Sequence, residues 1–218
     1  MNWRISERAA RVLGCLLEKE MATPDYYPLS LNALVNACNQ KSNRQPVVEY
    51  DETEVVRALN ELKELQLAWQ SDASRVPKYG ENFIKLQNMV AREAAVIALL
   101  LLRGPQTVGE LRGRSERLYA FESLEEVEQT LAAMEESGFV RKLARQPGQK
   151  ECRYAQLMAG EPDEAAGGGG QHARMEEATQ RVRAEEEQLA ELTEEVQRLR
   201  DELAELRAAF FEFRKQFE

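Results

Sequence analysis

Eleven polar or basic residues carry the chemistry that this chain concentrates. Lys41, Asn43 and Arg44 share one polar stretch between Ala37 and Pro46. Arg112, Arg114 and Arg117 recur within six residues, and Arg141, Lys142, Arg145, Lys150 and Arg153 crowd residues 139–157 against a single acid, Glu151. Guanidinium and ammonium groups so spaced suit phosphate oxygens, which fix a protein's position on nucleic acid without reading its sequence.

Other chemistry finds few residues to carry it. The sole histidine, His172, stands beside the glycine run 167–170 in a stretch with no core-forming residues, so no histidine-based triad or metal cluster is expected. That glycine run lacks the Lys-Ser/Thr of a phosphate-cradling loop. Cys15, Cys38 and Cys152 are odd in number and far apart, and none forms a C-x-x-C pair. Cys38 continues the apolar stripe Leu31, Leu34, Val35, which predicts burial. No enzyme, metal or cofactor is expected. The longest apolar run, Ala94 to Leu102, is shorter than the roughly 20 residues of a membrane span, and the first residues do not read as a signal peptide; both predict a cytoplasmic protein.

The elements that position the basic groups follow from capping and periodicity. Ser6 is an N-cap for a helix reaching about Glu20, with Ile5, Ala9, Val12, Leu13, Leu16 and Leu17 on its buried face. Ser30 caps a short helix to Cys38, and the polar stretch from Ala37 to Pro46 follows as an ordered loop. Asp51 opens a third helix to about Leu65. A hairpin is predicted next, with strands at Leu67–Gln70 and Asn82–Leu86 around a wing from Ser71 to Pro77. Helix, helix, helix, hairpin is the order of a winged helix-turn-helix unit.

The loop "ACNQKSNR-x-PV", with Tyr27-Pro28-Leu29-Ser30 before it and "LLLRG-x-QT-x-GELR" at Leu100–Arg112, resembles the YceH family of uncharacterised bacterial proteins. The resemblance covers about residues 1–160. It implies two winged-helix domains in tandem, often with a helical C-terminal tail, and it implies no activity. Gln45 departs from the acidic residue expected at that position.

An internal repeat points to the same doubling. Glu54-Val55, Leu59, Leu62 and Leu67-Ala68 match Glu126-Val127, Leu131, Met134 and Phe139-Val140 at an offset of 72, while the first helices match at 84. The first copy therefore holds twelve more loop residues. In the second copy Thr107/Glu110 and Ser123/Glu126 read as capping boxes, and the hairpin runs from Phe139 to about Leu157 with a turn at Pro147-Gly148. The predicted class is mainly α with small β-hairpins: winged-helix domains at 1–88 and 89–160, a flexible linker at 161–173 and a coiled-coil helix at 174–218. Units this small bury little surface alone and are expected to pack together.

In the tail, Leu189, Leu192, Val196, Leu199, Leu203, Leu206, Phe210, Phe213 and Phe217 alternate spacings of three and four, a heptad seam. Flanking pairs such as Glu195–Arg200 and Glu202–Arg207 are opposite in sign only in a parallel pairing, so a parallel homodimer is expected, with a trimer or a helix folded back on the body as alternatives. The net charge of −9 belongs to this tail, since residues 1–160 carry 21 basic against 22 acidic groups.

Charge also limits how DNA is met. Residues 51–65 hold five acids against Arg57 and Lys63, and residues 123–137 hold five acids and no base. Third helices so charged are expected to be repelled from a groove lined with phosphates. The sequence thus points to a non-enzymatic DNA-associated regulator that touches phosphates through the second wing and the loop. The alternative is a scaffold that binds protein through its acidic helices and tail.

Overall fold

A computed structural model describes residues 4–73, 75–145, 148–149 and 151–160. The linker, the heptad seam, His172 and Lys150 lie outside the described residues, as do the dimer expectation and its alternatives. The described residues belong to one compact unit, mainly helical with two small antiparallel sheets.

The order is α1 (Glu7–Ala22), a single 3-10 turn (Pro24–Tyr26), β1 (Leu29–Ser30), α2 (Leu31–Cys38), α3 (Glu52–Glu64), β2 (Ala68–Ser71), β3 (Lys78–Glu81), α4 (Phe83–Gln87), α5 (Ala91–Arg103), α6 (Val108–Ser115), α7 (Leu124–Glu136), β4 (Val140–Lys142) and β5 (Tyr154–Gln156). The caps explain the starts. Ser6, Ser30, Thr107 and Ser123 each accept the N–H of the residue three further on, and Asp51 with Glu54 makes a reciprocal capping box. Ser123 and Glu126 do not: the Glu126 carboxylate takes the Glu122 N–H and the Tyr119 hydroxyl instead.

The first hairpin differs from its prediction. The returning strand is Lys78–Glu81, and the residues expected to form it make the short helix α4, whose Phe83 is fully buried. Trp69 faces Gly80 across the strands, and a Cβ on Gly80 would sit 2.3 Å from the indole, so the strand passes beneath the ring only as glycine. β1 adds to the other edge of β3. In the second copy Gln106 makes the matching bridge to Tyr154, beside the two-stranded β4–β5 sheet.

The repeat extends to the turn between the third helix and its strand. Leu67 N–H bonds Leu62 O at 2.8 Å and Phe139 N–H bonds Met134 O at 2.9 Å, again 72 residues apart. At the residue before each, Gln66 and Gly138 share a left-handed backbone, φ 60° and 76°. The two halves join through a common core. α1 lies against α5, Ile5 N–H reaches Met158 O at 2.9 Å, and the Phe83 and Phe139 rings meet edge to face at 6.0 Å. At Gly14 α1 passes tightly against α5: a Cβ there would lie 2.9 Å from Leu102 Cγ and 3.0 Å from Leu101 Cβ.

Candidate nucleic-acid interface

The signature loop is built from its ends inward. Asn39 at the C-cap of α2 donates to Tyr50 O and accepts from Tyr50 N–H, both at 2.8 Å, so one side-chain amide closes the loop. Within it, Arg44 points inward and its side chain has no exposed surface. All five of its N–H donors are used. Nε bonds Ala37 O, the two terminal nitrogens grip the Glu18 carboxylate at 3.0 and 2.6 Å, and the remaining hydrogens reach Asn43 O and Gln40 Oε1. Burial opposes charge on both partners, and their mutual hydrogen bonds overcome it, holding Glu18 below and Arg44 above the ordinary values.

Arg44 must therefore leave the set of candidate phosphate contacts, because a guanidinium with neither exposed surface nor a spare donor cannot meet solvent-borne phosphate. The pairing spans 26 residues, and no local pattern announces it. Arg11, which sequence reasoning placed in no site, also serves the loop by donating to Pro46 O at 2.6 Å. Gln45, where the resemblance implied an acidic residue, supplies its backbone N–H to Leu102 O at 2.8 Å, and any residue except proline could do so. Asn43 adopts φ 60° and accepts through Oδ1 from Arg103, again at the end of α5. Burial, then the Arg114 guanidinium, pull Arg103 down to about 10.

The other candidates separate into two groups. Arg114 and Arg153 turn toward Glu110, at 3.3 and 3.7 Å, with about a fifth of each side chain exposed; Arg114 also bonds Gln106 Oε1, and Arg153 bonds Pro105 O at 3.0 Å. These two hold α6, the 103–106 turn and β5 together. Lys41, Arg112, Arg117, Arg141, Lys142 and Arg145 are exposed. Arg112 bonds Glu122 O, Arg145 bonds Gln149 O, and Lys142 lies 5.8 Å from the centre of the Tyr154 ring. The β4–β5 hairpin thus keeps its basic surface, and the loop keeps Lys41.

The two acidic third helices differ in how their carboxylates are engaged. On α3, Glu54 pairs with Arg8 at 2.9 Å, and Glu61 takes both the N–H and the hydroxyl of Ser6 at 2.6 Å. Both carboxylates serve the start of α1, which leaves Thr53, Arg57, Asn60 and Glu64 along the outer face with Glu52 at its start. On α7, Glu125, Glu128 and Glu136 stay exposed beside Leu124, with no basic residue in the helix.

A separate polar cluster lies under the first hairpin. Glu81 is 7 % exposed and accepts Ile84 N–H through Oε2, while the Tyr27 hydroxyl accepts Glu81 N–H. Burial, then the Glu20 carboxyl, raise Glu81 to about 8. The folded protein consequently keeps a proton that the unfolded chain has released near pH 4.5. Stability from this site is present at low pH and falls as pH rises toward 8, by up to about 1.4 kcal/mol per pH unit. Glu81→Gln, which is neutral at every pH, is expected to gain on wild type over that window in urea denaturation at pH 5.5 and 7.5. Parallel pH profiles would contradict the raised Glu81 carboxyl.

Among the described residues no group of three or more His, Cys, Asp or Glu side chains could hold a metal ion, and no helix is long and apolar enough to cross a membrane. Residues 5–149 match the family described as "Protein of unknown function, DUF480". The chain is 51 % identical over 222 residues to a UPF0502 protein of Solibacter usitatus, and 53 % over 221 residues to one of Geotalea daltonii, each match covering the whole of both chains. A UPF0502 protein of Geobacter sulfurreducens is 51 % identical, again over both full lengths. With the family match over residues 5–149 and relatives similar over their full lengths, the chain belongs to this DUF480 family of uncharacterised bacterial proteins.

Proposed function

We propose that the protein is a non-enzymatic, DNA-associated regulator made of two winged-helix units, dimeric through a parallel coiled coil of the 189–217 seam. The observation that carries this reading is the exposed basic wing on a doubled plan of three helices and a hairpin. Arg141, Lys142 and Arg145 project from one hairpin, and Lys41 from the loop. Of the two third helices, α3 is the less strongly acidic outward, since Glu54 pairs with Arg8 and Glu61 turns to the start of α1, though its net charge stays negative. Base reading by α3 is not part of this proposal, which rests on phosphate contacts through the wing and the loop. α7 keeps its carboxylates outward and is disfavoured beside phosphate.

Binding of the full chain to a duplex of about 30 base pairs, followed by fluorescence anisotropy from 50 to 200 mM salt, tests this. Affinity is expected to fall steeply with salt. A variant carrying Lys41→Glu, Arg141→Glu, Lys142→Glu and Arg145→Glu should bind at least tenfold more weakly, with a shallower salt slope, each lost phosphate contact removing about 0.9. Flat or undetectable binding would end the DNA reading.

The outer face of α7 favours a second reading, a scaffold for a basic protein partner. Capture of partners with and without nuclease separates the two, because a partner lost on nuclease treatment was bridged by DNA.

A further inference from the structure

Three guanidinium groups gather around the turn 103–106. Arg103 enters it from the end of α5, Arg114 reaches Gln106 Oε1 from α6, and Arg153, just before β5, reaches Pro105 O at 3.0 Å. One carboxylate serves two of them. Glu110 lies 3.3 Å from Arg114 and 3.7 Å from Arg153, and its Oε2 also accepts the Thr107 N–H at 2.9 Å. Arg103 forms no ion pair with a carboxylate among the described residues, and its Nη2 donates to the neutral Oδ1 of Asn43. The use of donors sets this group apart from Arg44. Arg44 uses all five N–H groups inside the protein, whereas Arg103 uses one, on Asn43, and Arg153 one, on Pro105. Nε of Arg103 and Nε of Arg153 are covered and have no hydrogen-bond partner. A covered donor left unpaired is costly, and a charged acceptor relieves that cost. The side chains still reach the surface: about a fifth of Arg114 and of Arg153 is exposed, and Arg103 is half-buried.

We propose that Arg103, Arg114 and Arg153 bind a dianionic phosphate group, carried by inorganic phosphate or by a small phosphomonoester. The site stands apart from the DNA reading and does not rest on it. Three guanidinium charges against the Glu110 carboxylate leave two positive charges. A dianion balances them, whereas a phosphodiester of a nucleic-acid backbone brings only one negative charge. The planar fork of a guanidinium also matches the oxygen spacing of phosphate. A terminal phosphate can enter a half-buried cluster end-on, while a backbone phosphate carries a sugar on each side. Glu110 holds Arg114 and Arg153 in place, and the ligand takes donors that Arg103 and Arg153 leave unused. The lowered Arg103, held down by burial and then by Arg114, is that of a cation short of counter-charge, and the ligand supplies it.

The test is calorimetric titration of the full chain with inorganic phosphate, phenyl phosphate and dimethyl phosphate at constant ionic strength. A pH near 8 keeps the first two dianionic, since the second phosphate pKa is about 6. Both are expected to bind, and dimethyl phosphate, which mimics the nucleic-acid backbone, at least tenfold more weakly. Arg103→Gln, which gives up only the bond to Asn43 inside the protein, should weaken phosphate binding at least tenfold. If that variant does not fold, nitrogen-15 NMR of the arginine Nε–H groups in wild type decides, with Arg103 and Arg153 expected to shift on titration with phosphate. Three results would overturn the proposal: undetectable phosphate binding, equal affinity for dimethyl phosphate, and NMR shifts confined to the exposed hairpin residues Arg141 and Arg145.

Discussion

Arg44→Met is expected to cost about 3–5 kcal/mol of folding stability, as is typical when one member of a buried ion pair is removed. The Glu18 carboxylate, 15 % exposed, loses its partner, and Ala37 O, Asn43 O and Gln40 lose their donor. Arg44→Lys should recover only part of this, because an ammonium keeps the charge but replaces five planar donors with three. Removing both charges in Glu18→Leu/Arg44→Met should be milder than the sum of the single changes, since no unpaired charge is left inside. Urea denaturation of the four proteins measures all of this. The salt slope of any DNA binding should be unchanged in the folded Arg44→Lys protein, because this side chain never meets solvent. A loss below about 1 kcal/mol in Arg44→Met would mean that the loop is not held as described.

Gly14→Leu carries the second large effect. Glycine inside a helix is usually a weak point, and alanine improves it by about 1 kcal/mol. Here the sign reverses. Even a methyl group would press on Leu102 Cγ and Leu101 Cβ at about 3 Å, contacts near the backbone of α5 that cannot swing aside. Gly14→Ala is expected to lose about 1–2 kcal/mol net, and Gly14→Leu about 3 kcal/mol or more by forcing α1 from α5. Gly109→Ala and Gly113→Ala on α6 supply the contrast, since a Cβ at either meets nothing within 4 Å and the ordinary gain should appear. Thermal melts of the four variants suffice; a stabilised Gly14→Ala would disprove the tight crossing.

What the sequence made legible was local. Ser6, Ser30, Asp51, Thr107 and Ser123 announced their helices because a cap bonds within three residues. The 72-residue repeat survived because it marks buried positions and a shared turn. Glu126 was misread because the Ser-x-x-Glu spacing permits the reciprocal bond without compelling it, and the Tyr119 hydroxyl competed for the carboxylate. The returning strand was misplaced because Phe83 and Ile84 look like strand residues, whereas Gly80, which looks like a turn, is the position the Trp69 ring requires. Arg44 stood among the candidate phosphate contacts because its carboxylate lies 26 residues away, and the engagement of Glu54 and Glu61 on α3 by Arg8 and Ser6 is hidden for the same long-range reason. Basic surface on the β4–β5 hairpin was visible from composition. Which of its arginines turn inward depended on Glu110, and spacing alone does not reveal that.

The loop between α2 and α3 ends by gripping α5: Gln45 N–H on Leu102 O and Asn43 on Arg103. A segment of the first repeat is thereby fastened to the second, alongside the α1–α5 crossing. Neither repeat is then an autonomous module. Severed at residue 88, the N-terminal piece would bare Leu101's and Leu102's former resting place on α1 and lose the anchor of its longest connection. Heating should accordingly melt both repeats in one cooperative step, and a ligand gripping either repeat should raise the melting point of the pair.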